Sequence, residues 1–274
     1  MLKKLYRKLS RKFPFVQKLL RALSVFLVVL FFLAIGFILW LQDKYVVPIL
    51  MYHNVDYVEK PVANNTSPGN FAWQMDFLKK NKYHVISLDE LVKATQNGRQ
   101  LPRRSVVITF DDGYEDNYVN AFKILKQRGF PAIIFCITNT IGQSGYLTWD
   151  QIREMERFGV VAGSHTVVPV YLPGTPEEKQ RFQIWESKRV LEERLRHPVD
   201  YFAYPSGGFS EKIKKLIREA GYKGACTTNR GYDRLNQDVY ELNRIRPGDK
   251  DTPMSLRFKL SGFNNYFKKT VDPY

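Results

Sequence analysis

The chain has 274 residues, 42 Lys and Arg against 27 Asp and Glu, a formal charge of +15 and 44% hydrophobic residues. The basic excess is local. Lys3, Lys4, Arg7, Lys8, Arg11, Lys12, Lys18 and Arg21 all precede the first acid, Asp43, and no basic helix or glycine-aromatic repeat follows that would indicate nucleic-acid binding. Two cysteines, Cys136 and Cys226, are too few for a disulfide framework and lack zinc-knuckle spacing.

In chain order, residues 1–21 read as a basic cytoplasmic tail, and residues 22–41 as a transmembrane anchor, apolar except for Ser24 and Gly36. About 20 such residues cross a bilayer as a helix, and basic flanks stay in the cytoplasm. Trp40 and Tyr45 suit the far interface. A cleaved signal peptide is the competing reading, but its apolar core is usually about 7–15 residues and ends at small residues; Leu39-Trp40-Leu41-Gln42 is a poor cleavage site. The expectation is a single-pass protein of the cell membrane, N-terminus inside, with residues 45–274 as one extracytoplasmic domain contacting the bilayer through 22–41.

Within that domain, strand-like and helix-like runs alternate. Strands are predicted at 46–52, 85–86, 105–110, 132–138, 159–164, 200–204, 223–228 and 241–246. Helices are predicted around 71–78, from the cap Ser87 onward, and at 116–128, 148–157, 176–196 and 211–220. Residues 56–70, with Pro61, Asn64, Asn65, Pro68 and Gly69, read as a surface loop. The tail from Leu256 to Phe267 mixes aromatic and basic residues and reads as an amphipathic helix packed on its own domain rather than on a lipid surface. Cys136 and Cys226 lie in strand-like runs and read as buried free thiols. Repeated βα units imply a parallel sheet, and the strand number favours an α/β barrel.

Chemistry-bearing residues fall at strand ends, where parallel barrels build active sites. Asp111 and Asp112 follow Val106-Val107-Ile108-Thr109-Phe110, in front of Gly113. His165 follows Val160-Val161-Ala162-Gly163-Ser164, His53 follows Pro48-Ile49-Leu50-Met51-Tyr52, and Pro205 and Ser206 follow Tyr201-Phe202-Ala203-Tyr204. Asp-Asp-Gly alone is also ordinary turn chemistry. Two histidines and two carboxylates on one face of a sheet are a stronger pattern.

At these residues, from about 46 to 247, the chain resembles the polysaccharide deacetylases with the NodB-homology domain, the family-four carbohydrate esterases. The resemblance rests on Thr109-Phe110-Asp111-Asp112-Gly113-Tyr114-Glu115-Asp116-Asn117, Pro48-Ile49-Leu50-Met51-Tyr52-His53, Val85-Ile86-Ser87-Leu88-Asp89-Glu90-Leu91, Gly163-Ser164-His165-Thr166 and Phe202-Ala203-Tyr204-Pro205. Within the family it is most similar to the extracytoplasmic branch acting on poly-N-acetylglucosamine, whose strand order is shifted so that Met-Tyr-His comes first. The resemblance implies a distorted (β/α) barrel of about seven strands. It implies an N-acetylated polysaccharide substrate and a divalent metal (zinc, cobalt or nickel). Asp112 and His165 would be metal ligands, Asp111 the base, His53 the acid, and Tyr204, Pro205 and Ser206 the oxyanion and substrate wall.

Two departures stand out. The family's second motif carries another metal-binding histidine where this chain has Pro169, which offers no donor atom, and neither His84 nor His197 lies at a predicted strand end to replace it. Ser206 stands where this branch usually has an aromatic residue. Ala203 stands where other branches carry an arginine. The reading is a deacetylase with a weakened metal site. A degenerate glycan-binding scaffold of the same fold and an O-acetyl esterase are the alternatives.

Overall fold

The computed structural model describes residues 14–42, 45–59 and 64–274. Six of the tail's basic residues, Lys3, Lys4, Arg7, Lys8, Arg11 and Lys12, and Pro61 of the surface loop lie outside the described residues. Two units, Met1–Tyr45 and Val46–Tyr274, are described separately. The first contains helix α1 (Pro14–Gln42), which begins earlier than expected and continues through Lys18 and Arg21. Its stretch Lys18–Phe37 is long and apolar enough to cross a membrane, with mean hydropathy 2.6.

The second unit is a seven-stranded sheet in which every pairing is parallel. Its strands are β1 (Ile49–Tyr52), β2 (His84–Val85), β3 (Ser105–Asp112), β4 (Ala132–Cys136), β5 (Val160–Ser164), β6 (Tyr201–Ala203) and β7 (Gly224–Cys226). The order is β1-β3-β4-β5-β6-β7, and β2 adds to the start of β3. The expected strand 241–246 is not a regular strand. It makes single parallel bridges, Leu242 to Cys226 and Ile245 to Leu50. Hydrogen bonds from Ile245 N to Ile49 O (2.7 Å) and from Thr227 N to Leu242 O (2.9 Å) lace it to both neighbours. This segment closes the ring between β7 and β1, which makes the barrel distorted rather than open.

Helices cover the outside: α2 (Pro68–Lys80), α3 (Leu88–Gln96), α4 (Lys123–Arg128), α5 (Trp149–Glu156), α6 (Glu177–Leu195), α7 (Glu211–Glu219), α8 (Pro253–Lys259) and α9 (Asn264–Phe267). Ser87 starts α3 and Thr148 starts α5, each with a reciprocal capping box. The first part of the expected helix 116–128 is a wider π-helical turn, Asn117–Phe122. In the C-terminal tail Leu256 and Leu260 are buried, as a packed helix requires, while Met254, Phe258 and Phe267 remain exposed.

Alternation along β3 sorts the core into two layers. Val106, Ile108 and Phe110 join the outer cluster under the helices. Val107 joins an inner cluster with Ile49, Ile133, Phe135, Ala203 and Leu242. Thr109 and Asp111 continue the inward set, and both are buried. Both cysteines are free and buried, and burial pushes each thiol up to about 12. His84 sits exposed at the start of the sheet, beside Ser105, and His197 pairs on the surface with Glu156 at 3.0 Å.

Gly163 of β5 lies directly under Phe135. A Cβ there would stand 2.6 Å from the ring's Cδ1 and 3.0 Å from Ile133 Cδ1, so a methyl group forces the inner layer apart. Gly163→Ala is expected to cost about 1–3 kcal/mol by overpacking, measured by chemical denaturation of the full chain in detergent.

Candidate active site

The strand ends meet at one face of the barrel. Asp111 is 2% exposed. Its two oxygens accept from Arg244: Nη1 to Oδ1 at 2.6 Å and Nη2 to Oδ2 at 2.7 Å. Arg244 also donates to Thr109 Oγ1 (3.1 Å) and Thr227 O (3.0 Å), and it is itself buried. Such a two-pronged pair fixes direction as well as charge. Burial alone would raise the Asp111 carboxyl, but Arg244, helped by His165 and His53, overrides it and holds the group down at about 2. Arg244 lies in the irregular closing segment and supplies the cation that Ala203 does not.

His53 Nε2 lies 3.9 Å from Asp111 Oδ2. Burial lowers its pKa below the ordinary histidine value, against the opposing pull of Asp111 and Asp112, so the free site holds a neutral imidazole beside an ionised carboxylate. Its Nδ1 is buried and has no hydrogen-bond partner among the described residues. The loop carrying it is tied to the end of the β3 motif. Asn117 Nδ2 donates to His53 O (2.7 Å), and Asp116 accepts from Asn54 Nδ2 (2.7 Å) and Val55 N (2.9 Å).

Asp112 turns the other way, toward solvent, because its backbone is left-handed (φ 72°). His165 Nε2 stands 3.5 Å from Asp112 Oδ1. The other ring nitrogen, Nδ1, is 2.7 Å from Ala203 O. A carbonyl only accepts, so Nδ1 carries a proton, and Nε2 is the ring atom turned toward Asp112. These two groups open into a cavity of about 300 Å³ lined by Ile137, Pro169, Val170, Tyr171, Pro205 and Ser206. Pro169 therefore faces the site. Its loop is pinned by Gln183 of α6, whose Oε1 accepts from Val167 N (2.9 Å) and Val168 N (3.1 Å). Tyr204 is turned away from the cavity; it is buried and donates to Tyr240 O at 2.9 Å.

The donor set suits a cation held by two protein groups, Asp112 and the Nε2 lone pair of His165. Among the described residues no third His, Cys, Asp or Glu completes a cluster, whereas catalytic zinc sites usually have three protein ligands.

A family model described as polysaccharide deacetylase matches residues 98–225. YxkH of Bacillus subtilis (strain 168), a protein named as a polysaccharide deacetylase, is 31% identical over 199 residues, covering 73% of this chain and 70% of its own length. The chain belongs to the polysaccharide deacetylase family. Another relative, the poly-beta-1,6-N-acetyl-D-glucosamine N-deacetylase of Staphylococcus aureus (strain MRSA252), is 27% identical over 205 residues, 69% of this chain and 70% of that one. Among solved structures, the Streptococcus pyogenes deacetylase PplD in complex with acetate matches with a TM-score of 0.73 and 31% identity, covering 78% of this chain and 97% of that one. IcaB from Ammonifex degensii matches with a TM-score of 0.68 and 25% identity, covering 80% and 97%. Asp111, Asp112, His165 and Ser206 fall inside the matched family region, while His53 and Arg244 flank it on either side.

Motif reading found the carboxylates and both histidines but not Arg244. The signal for it was an arginine between Leu242 and Ile245, both apolar, in a segment expected to be buried, because a buried arginine needs a carboxylate. Arg244→Met leaves the Asp111 charge buried and unpaired, and is expected to cost about 3–5 kcal/mol, with Arg244→Met/Asp111→Asn recovering part of the loss in denaturant titrations. The pair's own contribution is present above pH ~4, the ordinary aspartate range, and is lost as pH falls through about 2.

Proposed function

We propose that the chain is a membrane-anchored hydrolase that removes N-acetyl groups from an amino-sugar polysaccharide at the cell surface. In this reading residues 1–21 are the cytoplasmic tail, 22–41 the anchor and 45–274 the extracytoplasmic catalytic domain. The observation that carries it is the pairing of an ionised Asp111 with a neutral His53, next to Asp112 and His165 at the neighbouring cavity. The relatives named as poly-beta-1,6-N-acetyl-D-glucosamine N-deacetylases support the substrate class.

Asp112 and His165 would hold a divalent metal (zinc, cobalt or nickel). When bound it polarises the acetyl carbonyl and makes water more acidic. The remaining work falls to the chain's own groups. Asp111, oriented by Arg244, accepts a proton from the attacking water as the new C–O bond forms. A carboxylate held near 2 is a poor resting place for that proton. His53, neutral and 3.9 Å away, takes it on and delivers it to the sugar nitrogen as the C–N bond breaks. One water is consumed, and acetic acid and the free amine leave, the acid's proton passing to the amine or to solvent. The backbone N–H of Ser206, in the left-handed turn at the end of β6 (φ 52°), would meet the charge on the carbonyl oxygen, with Pro205 forming the wall beside it.

Pro169 favours a second reading, a glycan-binding domain with little hydrolysis, because the third metal ligand is replaced by a residue without a donor. Release of acetate from N-acetylglucosamine oligomers by the full chain in detergent, stimulated by added metal and lost in Asp112→Ala, is expected for the enzyme. Oligomer binding without acetate release at any metal concentration would instead establish the scaffold. Pro169→His is expected to tighten metal binding by on the order of tenfold or more, read by competition with a chelating dye. An unchanged affinity would remove Pro169 from the metal-binding face.

The pH dependence follows from His53. Its pKa lies below the ordinary ~6.5, and activity requires the imidazole free of its proton at the start of the cycle. The profile of kcat/KM is expected to be flat through neutral pH and to fall on the acid side below ~6.5. Loss of that acid limb in His53→Gln, together with most of the rate, would assign it.

A further inference from the structure

A second cavity, of about 330 Å³, opens on the other side of His53. Its floor is the end of β1, Met51 to His53. Asn64, Asn65 and Thr66 form one wall, and the segment from Arg246 to Lys250 forms the other. It shares no lining residue with the cavity at Asp112 and His165. We propose that this cavity is a subsite for an oxyanion, phosphate or carboxylate, carried by the amino-sugar polymer, and that Arg246 is the residue that selects it. The proposal rests on the deacetylase reading and adds a substrate class to it.

Charge is the first observation. Arg246, Asp249 and Lys250 line the cavity. The Asp249 carboxylate is engaged at the start of α2, where its Oδ1 accepts from Ser67 N (2.8 Å) and Ser67 Oγ (3.2 Å). Arg246 Nη1 donates to the neutral Asn64 Oδ1 at 2.6 Å. A guanidinium carries five N–H donors, so this bond leaves most of its capacity to a ligand. Burial and the neighbouring Arg244 both work against its charge, with Asp111 the opposing influence. An added anion would relieve that imbalance, and a planar fork of donors matches a carboxylate or phosphate edge.

The walls also argue against a neutral sugar ring as the favoured occupant. Sugar faces commonly stack on exposed aromatics, and among the described residues Tyr52 is the one aromatic of this lining. Tyr52 is 2% exposed and packs edge-on to Phe71 and against Phe110, so it presents no platform. His53 borders this cavity through the end of β1; among the described residues its buried Nδ1 has no hydrogen-bond partner, while its Nε2 lies 3.9 Å from Asp111 Oδ2.

The test compares three oligosaccharides of equal length bound to the full chain in detergent by calorimetry: a neutral N-acetylglucosamine oligomer, one bearing a phosphodiester, and one bearing lactyl carboxylates. At least one anionic oligomer is expected to bind about tenfold tighter than the neutral one at low salt, and which of the two does so identifies the source of the oxyanion. Arg246→Gln is expected to collapse the ratio of anionic to neutral affinity towards one, with Arg246→Lys retaining part of it. Equal affinities for all three oligomers, or a preference that survives Arg246→Gln, overturns the proposal. Acetate release is scored in the same samples. Deacetylation without anion preference refutes this subsite alone, and anion preference without acetate release refutes the deacetylase reading alone.

Discussion

The Arg244–Asp111 ion pair is the constraint on which the site and the barrel both depend. Arg244 is presented by a segment too irregular to be a strand, held by single bridges to Cys226 and Leu50. Its guanidinium crosses the interior to β3 and meets Asp111 with two hydrogen bonds. Ring closure and the charge state of the site are therefore one structural event. A barrel closed by backbone pairing alone would leave the Asp111 carboxylate inside an apolar layer, where burial favours the protonated form. With Arg244 in place the carboxylate is ionised and oriented.

Two neighbouring carboxylates do different work because the backbone separates them. Asp111 still obeys the alternation of β3 and points inward with Val107 and Thr109. Asp112, the last residue of β3, has a left-handed backbone, with φ at 72°, and faces out. Thr166 and Ser206, just past the ends of β5 and β6, adopt the same left-handed region, at 72° and 52°. Non-glycine residues there carry backbone strain of order 1 kcal/mol or more each, and three such turns line the same mouth. At Thr166 the hydroxyl bonds to the carbonyls of His165 and Val168, fixing the turn. Strain at these positions aims His165 and Asp112 at each other and opens the Ser206 turn.

Much of this was legible in the amino-acid order. The apolar run before Asp111, the caps at Ser87 and Thr148, and the βα alternation all arise from local chemistry that a sequence exposes. Strand ends at His53 and His165 followed from the same pattern. Arg244 did not, because its role comes from a partner 133 residues away in sequence, and its segment lacks regular pairing. Tyr204 misled for a related reason. It stands beside Pro205 and Ser206 in the chain, yet alternation and the Tyr240 carbonyl turn it into the core. The π-helical turn at Asn117–Phe122 was equally hidden, since periodicity alone does not distinguish it from an α-helix.

The anchoring of residues 53–55 by Asp116 and Asn117 separates two neighbouring pieces of one connection. His53, Asn54 and Val55 are bolted to the β3 motif, and Asn64 and Thr66, which wall a cavity, are tied in turn to Asn54, whose N–H donates to Asn64 O (3.2 Å) and whose carbonyl accepts from Thr66 N (3.0 Å). Changes of length between Val55 and Asn64 can therefore alter the cavity wall while His53 keeps its anchors. On the proposed deacetylase reading, variation in what that cavity accommodates and retention of His53 become separable evolutionary problems on this scaffold.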